Sequence, residues 1–344
     1  MSKFLKIGVP VVIAAGAVVW LLQPTEEKVA EVDEKSPAVV FDMGGKFDKS
    51  FNQSVYNGME RFKEETGISY QEFEVTNASQ REQAIRRFAQ RGANPIISVG
   101  FAQAAAVDKV AGEFPDARIT LIDMVVDKPN VQSVVFNEHE GSFLVGMLAA
   151  MKSETGTVSF VGGMDIPLIR KFECGYAQGA QYVNKDINVI RNMTGTTPSA
   201  WNDPAKGAEL AVSQFDRGSD VVYAAAGGTG VGVYQAAADS GKYAIGVDSN
   251  QNYLQPGTML TSMVKRVDVA AYNSLKAMQD GTWQAGFQAL GLAQGGVDWA
   301  LDEHNEALIT AEMKSAVEAA KKAIIAGEIK VHDYMSDNSC PALD

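Results

Sequence analysis

A chain of 344 residues, 46% hydrophobic and 21% charged, has the composition of a soluble globular protein long enough for two cores of ordinary size. Its 42 acidic residues outnumber 30 Lys and Arg, and the net charge of −12 comes without a long basic run, which argues against nucleic acid as a partner. Three histidines without a His-x-x-x-His pair, and only two cysteines, argue against a zinc enzyme and a disulfide-dense scaffold. Cys174 and Cys340 are read by default as two free thiols, with one bridge left open in an oxidising compartment, since sequence alone does not bring their Cα atoms together.

Lys3 and Lys6 precede an apolar run at 7–22 and a polar stretch at 23–36. This pattern reads as a secretory signal peptide at 1–22 followed by a linker at 23–36. No small-x-small cleavage site follows Leu22, so an uncleaved N-terminal membrane anchor stays open as the alternative. Thereafter strands and helices alternate. A buried strand at 38–41 leads to a helix at 50–66. Strands follow at 70–75, 94–100, 118–123 and 131–136, with helices at 80–91, 101–113 and 138–152. A second series has strands at 157–163, 187–193, 220–226, 243–248 and 259–265, with helices at 168–184, 204–217 and 231–240. The helix at 268–280 should return to the first series, and 311–326 forms the last long helix. Repeated strand-helix units predict an α/β protein with parallel sheets covered on both faces.

The segment Asp42-Met-Gly-Gly-Lys-Phe-Asp-Lys-Ser-Phe-Asn-Gln53 turns from a buried strand into a helix. Ser50 and Gln53 have the spacing of a capping box. Such turns face the crevice at the carboxyl edge of a sheet, where open α/β folds bind ligands, so Asp42, Asp48, Phe51 and Asn52 are the first candidates for ligand contact. The same position recurs. Asp42, Gly100-Phe101, Asp123, Gly162-Gly163, Gly227-Gly228, Asp248 and Lys265 all fall at predicted strand carboxyl ends. Two sheets facing each other would gather them into one cleft. No Gly-x-Ser-x-Gly or Walker A loop is present, and no catalytic residue, metal ligand or cofactor is assigned. The strand at 220–226 with Asp248 about 20 residues on has the outline of a dinucleotide fold, but Val233 stands where its third glycine belongs.

The opening motif resembles that of the basic membrane protein family, the purine-nucleoside-binding proteins of ABC uptake systems. Phe160-Val-Gly-Gly-Met-Asp-Ile-Pro167, Asp203-Pro-Ala-Lys206, Ala226-Gly-Gly-Thr-Gly-Val-Gly232, Gly246-Val-Asp-Ser249 and Thr261-Ser-Met-Val-Lys-Arg266 are similar to its later blocks, in order. The lipobox cysteine of that family is missing. The resemblance implies a type I periplasmic binding protein with two Rossmann-like lobes and a multi-crossing hinge. The N-terminal lobe is expected at 37–155 plus 267–285 and the C-terminal lobe at 156–266 plus 286–344. It further implies that Phe51 stacks on one purine face, with Trp201 or Phe172 on the other. Asn52 and Asp123 would bond the base edge, with Asp42 sharing that role or bracing the glycine loop. Gly228 would admit the sugar, while Asp248 and Lys265 hold its hydroxyls. The implied function is a monomeric, non-enzymatic receptor, periplasmic or on the outer face of the cytoplasmic membrane. It would deliver adenosine, guanosine or inosine to an ABC permease. A same-fold receptor for a sugar or another small metabolite, and a nucleotide- or NAD-processing enzyme, are the alternatives.

Overall fold

The short runs Ala38–Phe41, Ile96–Val99 and Ile119–Ile122 are buried at every residue, as strands covered on both faces must be. A computed structural model describes residues 36–343. The expected leader at 1–22 and all but the last residue of the linker lie outside the described residues. Among the described residues no helix is long and apolar enough to cross a membrane.

The first half runs β1 (Ala38–Phe41), α1 (Phe51–Thr66), β2 (Gln71–Glu74), α2 (Gln80–Arg91), β3 (Ile96–Val99), α3 (Ala104–Glu113), β4 (Ile119–Ile122) and β5 (Val131–Phe136). Next come α4 (Glu138–Lys152), β6 (Thr157–Met164), α5 (Pro167–Val183), β7 (Asn188–Gly195), α6 (Pro204–Asp216), β8 (Val221–Ala225), α7 (Gly230–Asp239), β9 (Tyr243–Asp248) and β10 (Met259–Lys265). The chain ends with α8 (Val267–Gln279), β11 (Gly286–Leu290), β12 (Val297–Trp299) and α9 (Ala311–Ile325).

Two sheets result, ordered β11-β5-β4-β3-β1-β2 and β12-β10-β9-β8-β6-β7. Every neighbouring pair is parallel except β10 with β12. The halves repeat one topology, so β4 corresponds to β9 and β5 to β10. This is the two-lobed α/β architecture of a type I periplasmic binding protein.

The lobe boundaries differ from expectation. Helix α4 packs on α5, β10, β12 and α9, so the chain enters the second lobe directly after β5 and not after residue 155. At the α4–α5 contact a Cβ on Gly179 would lie 1.9 Å from the Phe143 carbonyl oxygen, so only glycine allows this approach. The run at 143–149 is apolar around the whole helix, the mark of one packed from several sides. The last crossing is also displaced. Residues 286–290 form β11 at the edge of the first sheet, so the chain leaves that lobe after Leu290, not after 285. This strand is mostly exposed and carries no apolar alternation to announce it. The three crossings lie side by side: Asn137 N–H donates to Leu290 O, and Arg266 N–H donates to Gly296 O.

The free-thiol reading is overturned. Cys174 of α5 and Cys340 form a disulfide with Cα atoms 5.6 Å apart. What sequence could not show is the docking of the C-terminal tail, 166 residues away along the chain. Gln178 fixes it on α5 by accepting from His332 N–H at 2.8 Å and donating to His332 O at 3.0 Å. Closing so long a loop restricts the unfolded chain, so reduction or Cys340→Ala should remove about 2–4 kcal/mol of stability. The check is the urea midpoint with and without reductant. An unmoved midpoint with both thiols titratable would show that the bridge contributes nothing.

Candidate functional site

Strand β1 delivers the chain to Asp42, and α1 begins at Phe51. Between them the Asp48 carboxylate accepts from the N–H groups of Ser50 (2.8 Å), Asn52 (3.0 Å) and Gln53 (3.1 Å). A carboxylate is well placed at these otherwise unpaired donors. Asp48 therefore caps α1, in place of the Ser50/Gln53 box. Gln53 instead accepts from Lys49 N–H, and the Ser50 hydroxyl is spent elsewhere. Asn52 is committed to the turn. Its Oδ1 accepts from Asp42 N–H and its amide donates to Asp48, each at 3.1 Å. The Asp42 carboxylate accepts from Arg81 Nε and Nη2 at 3.0 and 2.9 Å. These polar residues brace a turn that presents the Phe51 ring.

Asp123 and Asp248 stand at the carboxyl ends of the corresponding strands β4 and β9. Both occupy the left-handed region, with φ of 72° and 64°. That conformation is uncommon for a side-chain-bearing residue and is found most at functional sites. Ser50 Oγ donates to Asp248 Oδ2 at 2.5 Å, joining the lobes. Two further bonds cross beside it: Ser249 Oγ to Ser50 O at 3.0 Å and Gln251 Nε2 to Lys49 O at 2.8 Å.

Lys265 ends β10 and is 1% exposed. Its Nζ lies 2.7 Å from Asp123 Oδ2 and 2.8 Å from Glu138 Oε1. The rings of Phe51, Phe136 and Phe172 surround it, with centroids 5.2, 5.1 and 5.5 Å away. Glu138 Oε2 in turn lies 3.0 Å from Lys171 Nζ, which donates to Phe136 O and pairs with Asp333 at 3.5 Å. Burial would drive the Lys265 proton off, but Asp123, Glu138 and Asp248 outweigh it and hold the ammonium charged. Burial raises Asp123 to about 6 against the pull of Lys265. Asp248 rises to about 6 for the same first reason. Burial works on Glu138 too, yet Lys265 and Lys171 reverse it and bring that carboxyl down to about 2.

Asp42, Phe51, Asn52, Asp123, Phe172, Trp201, Asp248 and Lys265 line one cavity. Gly228 is the exception: its neighbour Gly227 lines the cavity, and Gly228 lies under the Trp201 carbonyl and Asn202. Trp201 sits on a 3-10 turn, Pro198–Trp201, with its indole packed against Gly163, where a Cβ would meet the ring at 2.1 Å. Met43, Phe101, Leu168 and Ile169 add apolar wall that sequence reasoning did not assign to a ligand, although Phe101 sits at a strand end already marked. Glu138 and Lys171 were missed outright. An acid opening one helix and a lysine inside another look like ordinary surface charges. Among the described residues no group of His, Cys, Asp or Glu is placed to hold a metal ion. The cavity offers flat apolar faces, carboxylate acceptors from both lobes and one ammonium.

Residues 35–334 match the family model of the PnrA-like ABC transporter substrate-binding proteins. An uncharacterized lipoprotein of Pyrococcus abyssi is 35% identical over 295 residues, 81% of this chain and 72% of the relative. The nucleoside-binding protein BmpA of an ABC transporter from Lactococcus lactis is 33% identical over 317 residues, 86% of this chain and 88% of the relative. The crystal structure of an ABC transporter solute-binding protein from Aeropyrum pernix superposes with a TM-score of 0.79 at 30% identity, covering 86% of this chain and 92% of that one. The family expected from the motifs is thereby confirmed, and the chain belongs to the PnrA-like substrate-binding proteins of ABC transporters.

Proposed function

We propose that this substrate-binding protein captures a purine nucleoside between its lobes and hands it to an ABC permease. The observation that carries the reading is the pair Asp123 and Asp248, set from opposite lobes around a cavity walled by Phe51, Phe172 and Trp201. A purine has two apolar faces and an edge of N–H donors, and its ribose adds a hydroxylated second end. Phe51 covers one face of the base, and Phe172 or Trp201 the other. Asp123 has one oxygen on Lys265 and the other, Oδ1, buried without a partner. As an ionised acceptor that oxygen suits a base N–H. Asp248 and Lys265 take the ribose hydroxyls, with Gly227 in the place first given to Gly228. Asn52, with one amide N–H uncommitted, serves the base edge, while Asp42 braces the turn.

Contacts from both lobes favour the form in which the lobes meet, so binding is coupled to hinge closure. The Cys174–Cys340 bridge supports residence outside the cytoplasm, where disulfides persist. The relative named as a lipoprotein supports placing the protein at a membrane surface.

Calorimetry against a panel of nucleosides, nucleotides and sugars tests the reading, which fails if a sugar binds and adenosine, guanosine and inosine do not. Phe51→Ala should weaken nucleoside binding by about fivefold to 150-fold, the worth of one stacking face. Asp123→Ala should weaken it by about tenfold to hundredfold through loss of a charged acceptor. Circular dichroism should show both variants folded. Unaltered affinity in Asp123→Ala would remove the base edge from this carboxylate.

The pH dependence has a definite sign. Ligand donors favour the ionised carboxylates, and both aspartates titrate near 6 without ligand. Affinity should be constant above that range and fall below it, by up to about tenfold per pH unit for each carboxylate that must lose its proton. Calorimetric affinities that stay level from pH 8 to about 4 would contradict the role of both groups.

A further inference from the structure

Among the described residues, Lys265 is the one basic residue in the cavity wall, beside Asp42, Asp48, Asp123 and Asp248. Asp42 is held by Arg81 and Asp48 by backbone N–H groups. Asp123 pairs directly with this buried ammonium and Asp248 acts on it from across the cavity, yet its charge would still draw a phosphate or carboxylate entering the cavity. Glu138 changes that from outside the wall. It is 1% exposed, opens α4 where the chain crosses between lobes, and does not line the cavity. One of its oxygens is on Lys265 and the other on Lys171.

We propose that Glu138 is a positioning residue that sets the charge of the ligand this site accepts. By pairing with Lys265 from behind, it makes the ammonium a hydrogen-bond donor and removes its appeal as an anion trap. The cavity then admits neutral ligands and rejects their phosphorylated forms. This rests on the nucleoside reading for the identity of the ligand, but not for the action of Glu138 on Lys265. Lys171 tunes the effect, because it neutralises part of Glu138 and is itself faced by Asp333. The charges acting on Asp123 are Lys265 on β10, Glu138 on α4 and Asp248 on β9.

The first test needs no ligand. Asp123 is followed by carboxyl-carbon NMR in the wild type, where its midpoint should lie near 6. E138Q removes one of the groups that oppose Lys265, leaving burial and Asp248, and should move the midpoint down. Lys171→Gln leaves Glu138 less neutralised and should move it up. General loosening of the fold would relieve burial and move the midpoint down in both variants, so the upward shift in Lys171→Gln is the discriminating sign; if that variant fails to fold, the adenosine-to-AMP ratio of E138Q decides. The second test compares adenosine with AMP by calorimetry. The wild type should prefer adenosine, and E138Q should shrink that preference by about tenfold or more. An Asp123 midpoint unmoved in both variants, shifts of the same sign, or an unchanged adenosine-to-AMP ratio in E138Q would overturn the proposal. A wild type that binds neither compound would count against the nucleoside reading, and the NMR titration would still decide the role of Glu138.

Discussion

The buried ammonium of Lys265 is the constraint around which the two lobes are arranged. An isolated charge taken out of water costs several kcal/mol, and attraction offsets this only with good geometry and more than one partner. Here the partners come from different parts of the fold. Asp123 belongs to the first lobe, and Glu138 stands just past the first crossing between lobes. Lys265 itself ends β10, one residue before the chain turns back into α8. Two of the three crossing segments are therefore tied to each other and to the cavity wall by a single side chain. A change at the cavity that disturbs Lys265 is felt at the hinge, because the same ammonium pairs with Glu138 at the first crossing. Removing one member of such a buried set is far more damaging than its net worth suggests, since the remaining charge stays buried and unpaired.

The duplicated topology explains why aspartates dominate the site. In each lobe the fourth strand of the repeated unit ends in an aspartate with positive φ, at Asp123 and at Asp248. This local geometry costs of order 1–3 kcal/mol and persists where the surroundings enforce it. At both places the aspartate N–H or its neighbour is held: Asp123 N–H donates to Val134 O, and Ser249 N–H donates to Val247 O. The turn sets each carboxylate on the rim of its sheet. Facing sheets then bring two acceptors to one cavity from opposite sides.

Much of this was legible along the chain because parallel α/β sheets place their functional residues at strand carboxyl ends. Asp42, Asp123, Asp248 and Lys265 could be found from short apolar runs and the residue that terminates each, and Phe51 from the turn that follows the first of them. The parts that could not be read depend on distant segments meeting. The acid at 138 reads as an ordinary helix-opening carboxylate until Lys265 and Lys171 are seen on either side of it. The Cys174–Cys340 bridge depends on where the tail docks. Strand β11 has no pattern of its own and exists because β5 offers it a free edge. Ser50 and Gln53 fit a capping signature, yet Asp48 is closer to the donors and is a charged acceptor. Its success releases the Ser50 hydroxyl to cross the cleft.

That released hydroxyl joins closure to recognition. Ser50 Oγ donates to Oδ2 of Asp248, the carboxylate proposed to hold the ribose. The bond can form only when the lobes meet, and it fixes the carboxylate in one orientation. A carboxylate already holding one donor is more easily kept ionised, since each hydrogen bond to the charged form opposes the upward push of burial. On the proposed reading, closure of the lobes prepares the acceptor for the ribose, and a ligand bonded to that acceptor favours closure. Because Gln251 and Ser249 close the same loop onto the backbone of Lys49 and Ser50, the preparation rests on several protein bonds that do not themselves belong to the cavity wall.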